Sequence, residues 1–103
     1  MLVDKNTESA AEVLAANLQA RGRARIVGST SMGNTEDTYY YNLDDGSRLW
    51  IAEAAYSLPD GTNLEGKGVV PDSNVDVDWT SYPEAADPQI LKAVDGIYQT
   101  GKR

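Results

Sequence analysis

Apolar and polar positions along the chain follow two periods, and each stretch predicts an element. Met1-Leu2-Val3-Asp4 reads as the last residues of a strand. Ala10, Leu14 and Leu18 then recur at helical spacing on one face, behind Ser9 and Glu12, which have the spacing of a capping box. Arg21-Gly22 supplies a cation for the last turn and a glycine stop. A short strand, Ala24-Arg25-Ile26-Val27, ends at Gly28, and a polar loop runs from Ser29 to Thr35. Two strand-like runs, Thr38 to Leu43 and Arg48 to Tyr56, flank Asp44-Asp45-Gly46-Ser47, and aspartate-glycine between such runs signals a hairpin. Residues 57–74 are rich in Pro, Gly, Asp and Asn and read as a long, ordered loop. Val75, Val77 and Trp79 alternate with acids as in a short edge strand. Asp87-Pro88 opens a last helix with proline at its first position and an apolar stripe of Ile90, Leu91, Val94 and Ile97.

The order helix, strand, hairpin, loop, edge strand, helix suits an α/β layer with two helices packed on a mixed sheet. With 103 residues the chain holds one small core, too short for a closed doubly wound domain. At 41% hydrophobic and 24% charged it is too apolar to be disordered. No apolar run is long enough for a membrane span, and the first residues lack a hydrophobic signal region.

Two missing residue types narrow the chemistry. Without cysteine there is no disulfide scaffold, thiolate metal site or cysteine nucleophile. Without histidine no Ser-His-Asp triad and no imidazole metal site can form within these residues, so serine chemistry here needs another base. The net charge of −7 is unevenly placed: residues 1–35 balance to +1, and the rest carry thirteen acids against five bases. No basic stripe exists to neutralise phosphates, so nucleic acid is not an expected partner.

Three stretches, in order and at fitting spacing, resemble the carboxy-terminal processing (tail-specific) family of serine peptidases. They are Thr7-Glu8-Ser9-Ala10-Ala11-Glu12 running on to Gly22-Arg23-Ala24 and Val27-Gly28; Leu64-Glu65-Gly66-Lys67-Gly68-Val69-Val70-Pro71-Asp72 behind Pro59-Asp60-Gly61; and Asp87-Pro88-Gln89-Ile90-Leu91-Lys92-Ala93. The Glu-Gly-Lys-Gly-x-x-Pro-Asp run is the most specific. The resemblance implies a crotonase-like (Clp-protease-like) fold. It implies that residues 1–103 are a single partial domain, the C-terminal half of the catalytic core, with neither the upstream half nor a PDZ domain. It further implies a protein or peptide substrate, no cofactor, and an extracytoplasmic setting such as periplasm or cell envelope.

On the family pattern Ser9 falls at the nucleophile and the Ala10 amide at an oxyanion donor; a serine at a helix N-terminus lies in the positive end of the dipole. The plain alternative is that Ser9 and Glu12 only cap the helix. The family's general base is a lysine in a Gly-Lys segment after the strand. Here the segment is Met32-Gly33-Asn34-Thr35, so Asn34 stands at the lysine position, and Thr38 stands where the family has a supporting glutamine. An amide does not accept a proton at neutral pH, so the isolated chain is expected to be inactive. Lys5 and Lys67 are the alternative bases, and solvation is the ordinary state of both. A non-catalytic peptide-binding or scaffolding homologue is the second reading.

Asp72, Asn74, Asp76 and Asp78 alternate faintly like a calcium loop, but Val77 replaces the turn glycine and no bidentate glutamate follows. They are more simply a solvated strand face that blocks edge-to-edge aggregation. Tyr39-Tyr40-Tyr41 with Trp50 reads as sheet packing. A free sheet edge is a route to self-association.

Overall fold

The structure, a computed structural model, describes residues 1–101. The described chain folds as β1 (Leu2–Val3), α1 (Ala10–Ala20), β2 (Val27–Gly28), β3 (Glu36–Asn42), β4 (Arg48–Ala55), β5 (Ser73–Asn74) and α2 (Pro88–Thr100), with 3-10 turns at Trp79–Ser81 and Glu84–Ala86. This is the expected α/β order. The parallel and antiparallel pairings, however, lie in two separate sheets: β1-β2-β5, all parallel, and the β3–β4 hairpin.

In the parallel sheet β2 lies between β1 and β5, and the pairing brings backbones unusually close. A Cβ on Gly28, at φ 136°, would lie 1.8 Å from the Val3 carbonyl oxygen, so only glycine fits there. Val3, Ala15, Ala16, Ile26, Leu64 and Val69 form the core, with Ala24 and Leu58 against it.

The strand expected over Val75–Trp79 sits earlier. Ser73–Asn74 make the ladder, and Trp79 begins a 3-10 turn. The reason is the Asp72 carboxylate, which accepts from the Ile26 backbone N–H at 2.7 Å and the Gln19 amide at 3.1 Å and so pins the chain to β2 just before the pairing. The acidic row does alternate outward, but Asp72 is committed to these bonds. Asp78 caps the turn through Thr80, whose hydroxyl and amide bonds hold its carboxyl below the usual carboxylate range. No metal-ligating cluster occurs among the described residues.

Two apolar faces differ from expectation. Helix α1 does not bury Leu14, which is 54% exposed; its buried residues are Glu12, Ala15 and Ala16. Ala15 and Ala16 pack into the core with Val3 and Ile26, and Glu12 takes a buried seat because its carboxyl is met by the hydrogen bonds described below. Helix α2 is capped as expected, the Asp87 carboxylate accepting from the Gln89 N–H at 2.8 Å. Yet Leu91, Val94 and Ile97 of its stripe are exposed, and only Ile90 is partly covered.

The hairpin forms through the Asp44-Asp45-Gly46-Ser47 turn, where Gly46 takes φ 84°. Asn42 pairs with Arg48, Tyr40 with Trp50 and Thr38 with Ala52, and a bulge follows at Asp37/Thr38. Its aromatic residues do not fill a core: Tyr39, Tyr40, Tyr41 and Trp50 are all about half exposed or more. Tyr40 and Trp50 meet at a tilt of 42° with ring centres 5.2 Å apart, while Arg48 lies 5.1 Å over the Tyr40 ring. The ribbon projects from the body, which explains a radius of gyration of 17.1 Å where a compact chain of this length has about 13 Å.

Candidate active site

The β1–α1 turn delivers Ser9 to the helix N-terminus in an unusual backbone conformation. Ser9 has φ 56° and ψ −128°, and it alone among the described non-glycine residues has positive φ. An N-cap residue normally sits in the β region. The conformation here costs an L-residue of order 1–3 kcal/mol and persists only where its surroundings impose it. A sharp strand-to-helix turn of this kind lifts a serine hydroxyl out of the backbone envelope, as in a nucleophile elbow.

The imposing contacts are two. The Ser9 N–H donates to the Asn34 carbonyl at 2.8 Å and lies 3.1 Å from the Glu12 carboxylate. Glu12 therefore does more than reciprocate a helix cap. Completely buried, it also accepts from the Ser31 hydroxyl at 2.5 Å, the Gly33 N–H at 2.6 Å and the Asn34 N–H at 3.0 Å. A carboxylate has about four acceptor positions, and all four donors here are neutral. The result ties the helix N-terminus to the 31–34 loop.

A second clamp acts from the opposite side. Glu65 accepts from the Thr35 N–H at 2.6 Å and the Thr35 hydroxyl at 3.1 Å. Gly66 N–H donates to the Gly33 carbonyl at 2.8 Å, and the Ser31 hydroxyl accepts from the Val69 N–H at 2.7 Å. A Cβ on Gly33 would lie 2.9 Å from the Lys67 nitrogen, and one on Gly68 would lie 2.4 Å from the Ser31 carbonyl oxygen. The Glu-Gly-Lys-Gly run is thus a backbone cradle for the loop that carries Asn34.

The structure brings Ser9, Ala10 and Asn34 to one place. Ser9 and Asn34 are both solvent-exposed, and the Asn34 side-chain amide donates to Glu8 at 3.4 Å. Ala10 N–H is among the first-turn donors that a helix leaves without an intrahelical acceptor, and it points to the positive end of the dipole. Lys67 meets the loop through its backbone, and its side chain is exposed; the charge of Lys5 acts on Asp78. Glu12 and Glu65 were legible only as a helix cap and a motif letter, since a lone acid in an apolar pattern reads as surface.

Comparison with known proteins now supplies the class. Residues 1–75 match the model of peptidase family S41, and the chain belongs to that family. It is 32% identical over 88 residues to the carboxyl-terminal-processing protease of Synechocystis sp. (strain ATCC 27184 / PCC 6803 / Kazusa), an alignment covering 85% of this chain and 21% of that protein. It resembles the solved photosystem II D1 C-terminal processing protease with a TM-score of 0.70 and 34% identity, over 90% of this chain and 22% of that one. The tricorn protease matches with a TM-score of 0.81 over 99% of this chain and 10% of that one; at 21% identity this bears on the fold alone. The fold is Clp-protease-like, and the chain spans about a fifth of the length of the first of these relatives. The family acts on protein, and among the described residues no helix is long and apolar enough to cross a membrane.

Proposed function

We propose that these 103 residues are the C-terminal half of a serine endopeptidase core of the C-terminal processing type, bearing Ser9 as nucleophile and the Ala10 amide as an oxyanion donor. The strained backbone of Ser9 carries this reading. A helix cap has no use for φ 56°, whereas a nucleophile that must stand clear of its own backbone does. The two clamps hold the 31–35 loop in place although residue 34 is asparagine.

The general base is absent from this constellation. Asn34 occupies the lysine position, there is no histidine, the Lys67 side chain is exposed, and the charge of Lys5 acts on Asp78. The isolated chain is therefore inactive, and the base that would serve Ser9 in cutting a peptide substrate is unidentified among these residues. The alternative reading, a non-catalytic peptide-binding homologue, draws on the Asn34 substitution and its amide bond to Glu8.

Hydrolysis of an unstructured protein such as reduced, alkylated casein tests the assignment. The isolated chain is expected to leave it intact. Cleavage that disappears in Ser9→Ala would show a base within these residues and overturn the proposal that it is missing.

A further inference from the structure

We propose that the free edge of β3 binds an extended, basic peptide as an added strand, leading it to Ser9; this rests on the peptidase reading above and names the substrate class. β3 begins two residues after Asn34, whose carbonyl accepts the Ser9 N–H. Its seven residues give an edge of about 23 Å. Apart from the β4 ladder, no backbone bond engages Glu36–Asn42 among the described residues.

Which groups face outward follows from the ladder. The Leu43 N–H donates to the Ser47 carbonyl across the turn, so that pair is hydrogen-bonded. Bonded and non-bonded pairs alternate in an antiparallel ladder. Tyr41 and Tyr39 thus bond to β4, while Thr38, Tyr40 and Asn42 turn their N–H and C=O groups outward. Three residues at alternate positions are what an incoming strand needs for main-chain recognition.

Charge selects the occupant. The end of the ribbon nearest Ser9 carries Glu36, Asp37 and Glu53, with Glu8 beside Asn34, while the ribbon's one basic residue, Arg48, pairs with Asn42 at the far end and lies over the Tyr40 ring. A second copy pairing antiparallel through β3 would set Glu36 and Asp37 against the Asp44-Asp45 turn of its partner, acid against acid, in a chain of net charge −7. A peptide with lysine or arginine side chains near its scissile bond meets complementary charge instead.

Amide NMR on the 15N-labelled chain tests this without requiring catalysis. The probes are acetyl-(Thr-Lys)5-amide and acetyl-(Thr-Glu)5-amide. The lysine peptide is expected to shift the Thr38, Tyr40 and Asn42 amides more than those of Tyr39 and Tyr41, with at least tenfold tighter binding than the glutamate peptide. Tyr40→Pro, which removes an outward N–H, should weaken binding at least tenfold. Should that variant unfold, the double reversal Glu36→Lys with Asp37→Lys leaves the ladder intact and should reverse the peptide preference. Equal binding of both peptides, no shifts along β3, or shifts at these amides that follow chain concentration without peptide would each overturn the proposal; the last would assign the edge to a second copy. Edge binding by a folded Asn34→Lys variant whose Ser9 takes no fluorophosphonate adduct would refute the serine reading alone, and an adduct at Ser9 of that variant without edge binding would refute this inference alone.

Discussion

Replacing Ser9 by glycine should make the protein more stable than replacing it by alanine, although glycine is usually the more costly choice near a helix. Both changes delete the hydroxyl, so what differs is the backbone. At φ 56° and ψ −128° an alanine keeps the strain of order 1–3 kcal/mol, and glycine releases it. Against that release stands the greater unfolded-state freedom of glycine, about 0.4–1 kcal/mol. The balance favours glycine by about 1 kcal/mol, which in a domain of this size raises Tm by about 4–8 °C. Thermal unfolding of Ser9→Gly and Ser9→Ala followed by far-ultraviolet circular dichroism measures it. A glycine variant melting at or below the alanine variant would show that Ser9 is not strained and remove the observation on which the nucleophile assignment rests.

The two clamps make further predictions. Glu12→Gln sets an amide NH2 among four donors and should cost about 2–5 kcal/mol in urea unfolding, with faster hydrogen exchange at Gly33 and Asn34; a variant as stable as the parent would contradict the clamp. Gly68→Ala places a Cβ 2.4 Å from the Ser31 carbonyl oxygen and should prevent stable folding, whereas Gly22→Ala, with nothing within 4 Å, should cost only the about 1–2 kcal/mol of a left-handed residue. Equal losses at the two positions would show that the loop is not cradled.

Much of the fold was readable because local chemistry dictates it. Asp87-Pro88 announces a helix start, Asp45-Gly46 a hairpin and Gly22 a helix stop, and each appears where expected. The two-residue strands were harder. Ser73–Asn74 carry no period of their own and are placed by the distant Asp72–Ile26 bond. Helical spacing chose Leu14 over Glu12 for the buried face, because a periodicity argument cannot see four donors arriving from residues 9 and 31–34. Similarly, apolar side chains on the hairpin and on α2 read as core yet stand exposed, since alternation reports that a face is to be covered and not what covers it. At the site, the motif located Ser9, Ala10 and Asn34 together. The backbone strain at Ser9 was invisible, because positive φ is announced in sequence by glycine and here falls on serine.

The central claim is a preformed nucleophile site lacking only its base, and fluorophosphonate labelling read by intact mass tests it most directly. The parent chain and Asn34→Lys are treated side by side, with Ser9→Ala as the control and circular dichroism confirming that each is folded. The expected result is no adduct on the parent and a single adduct at Ser9 in Asn34→Lys, with a lysine placed by the clamped loop taking the serine proton. An adduct on Ser9 of the parent chain would mean that a base already acts within these residues. A folded Asn34→Lys that stays unlabelled would mean that the geometry around Ser9 is not that of a nucleophile site.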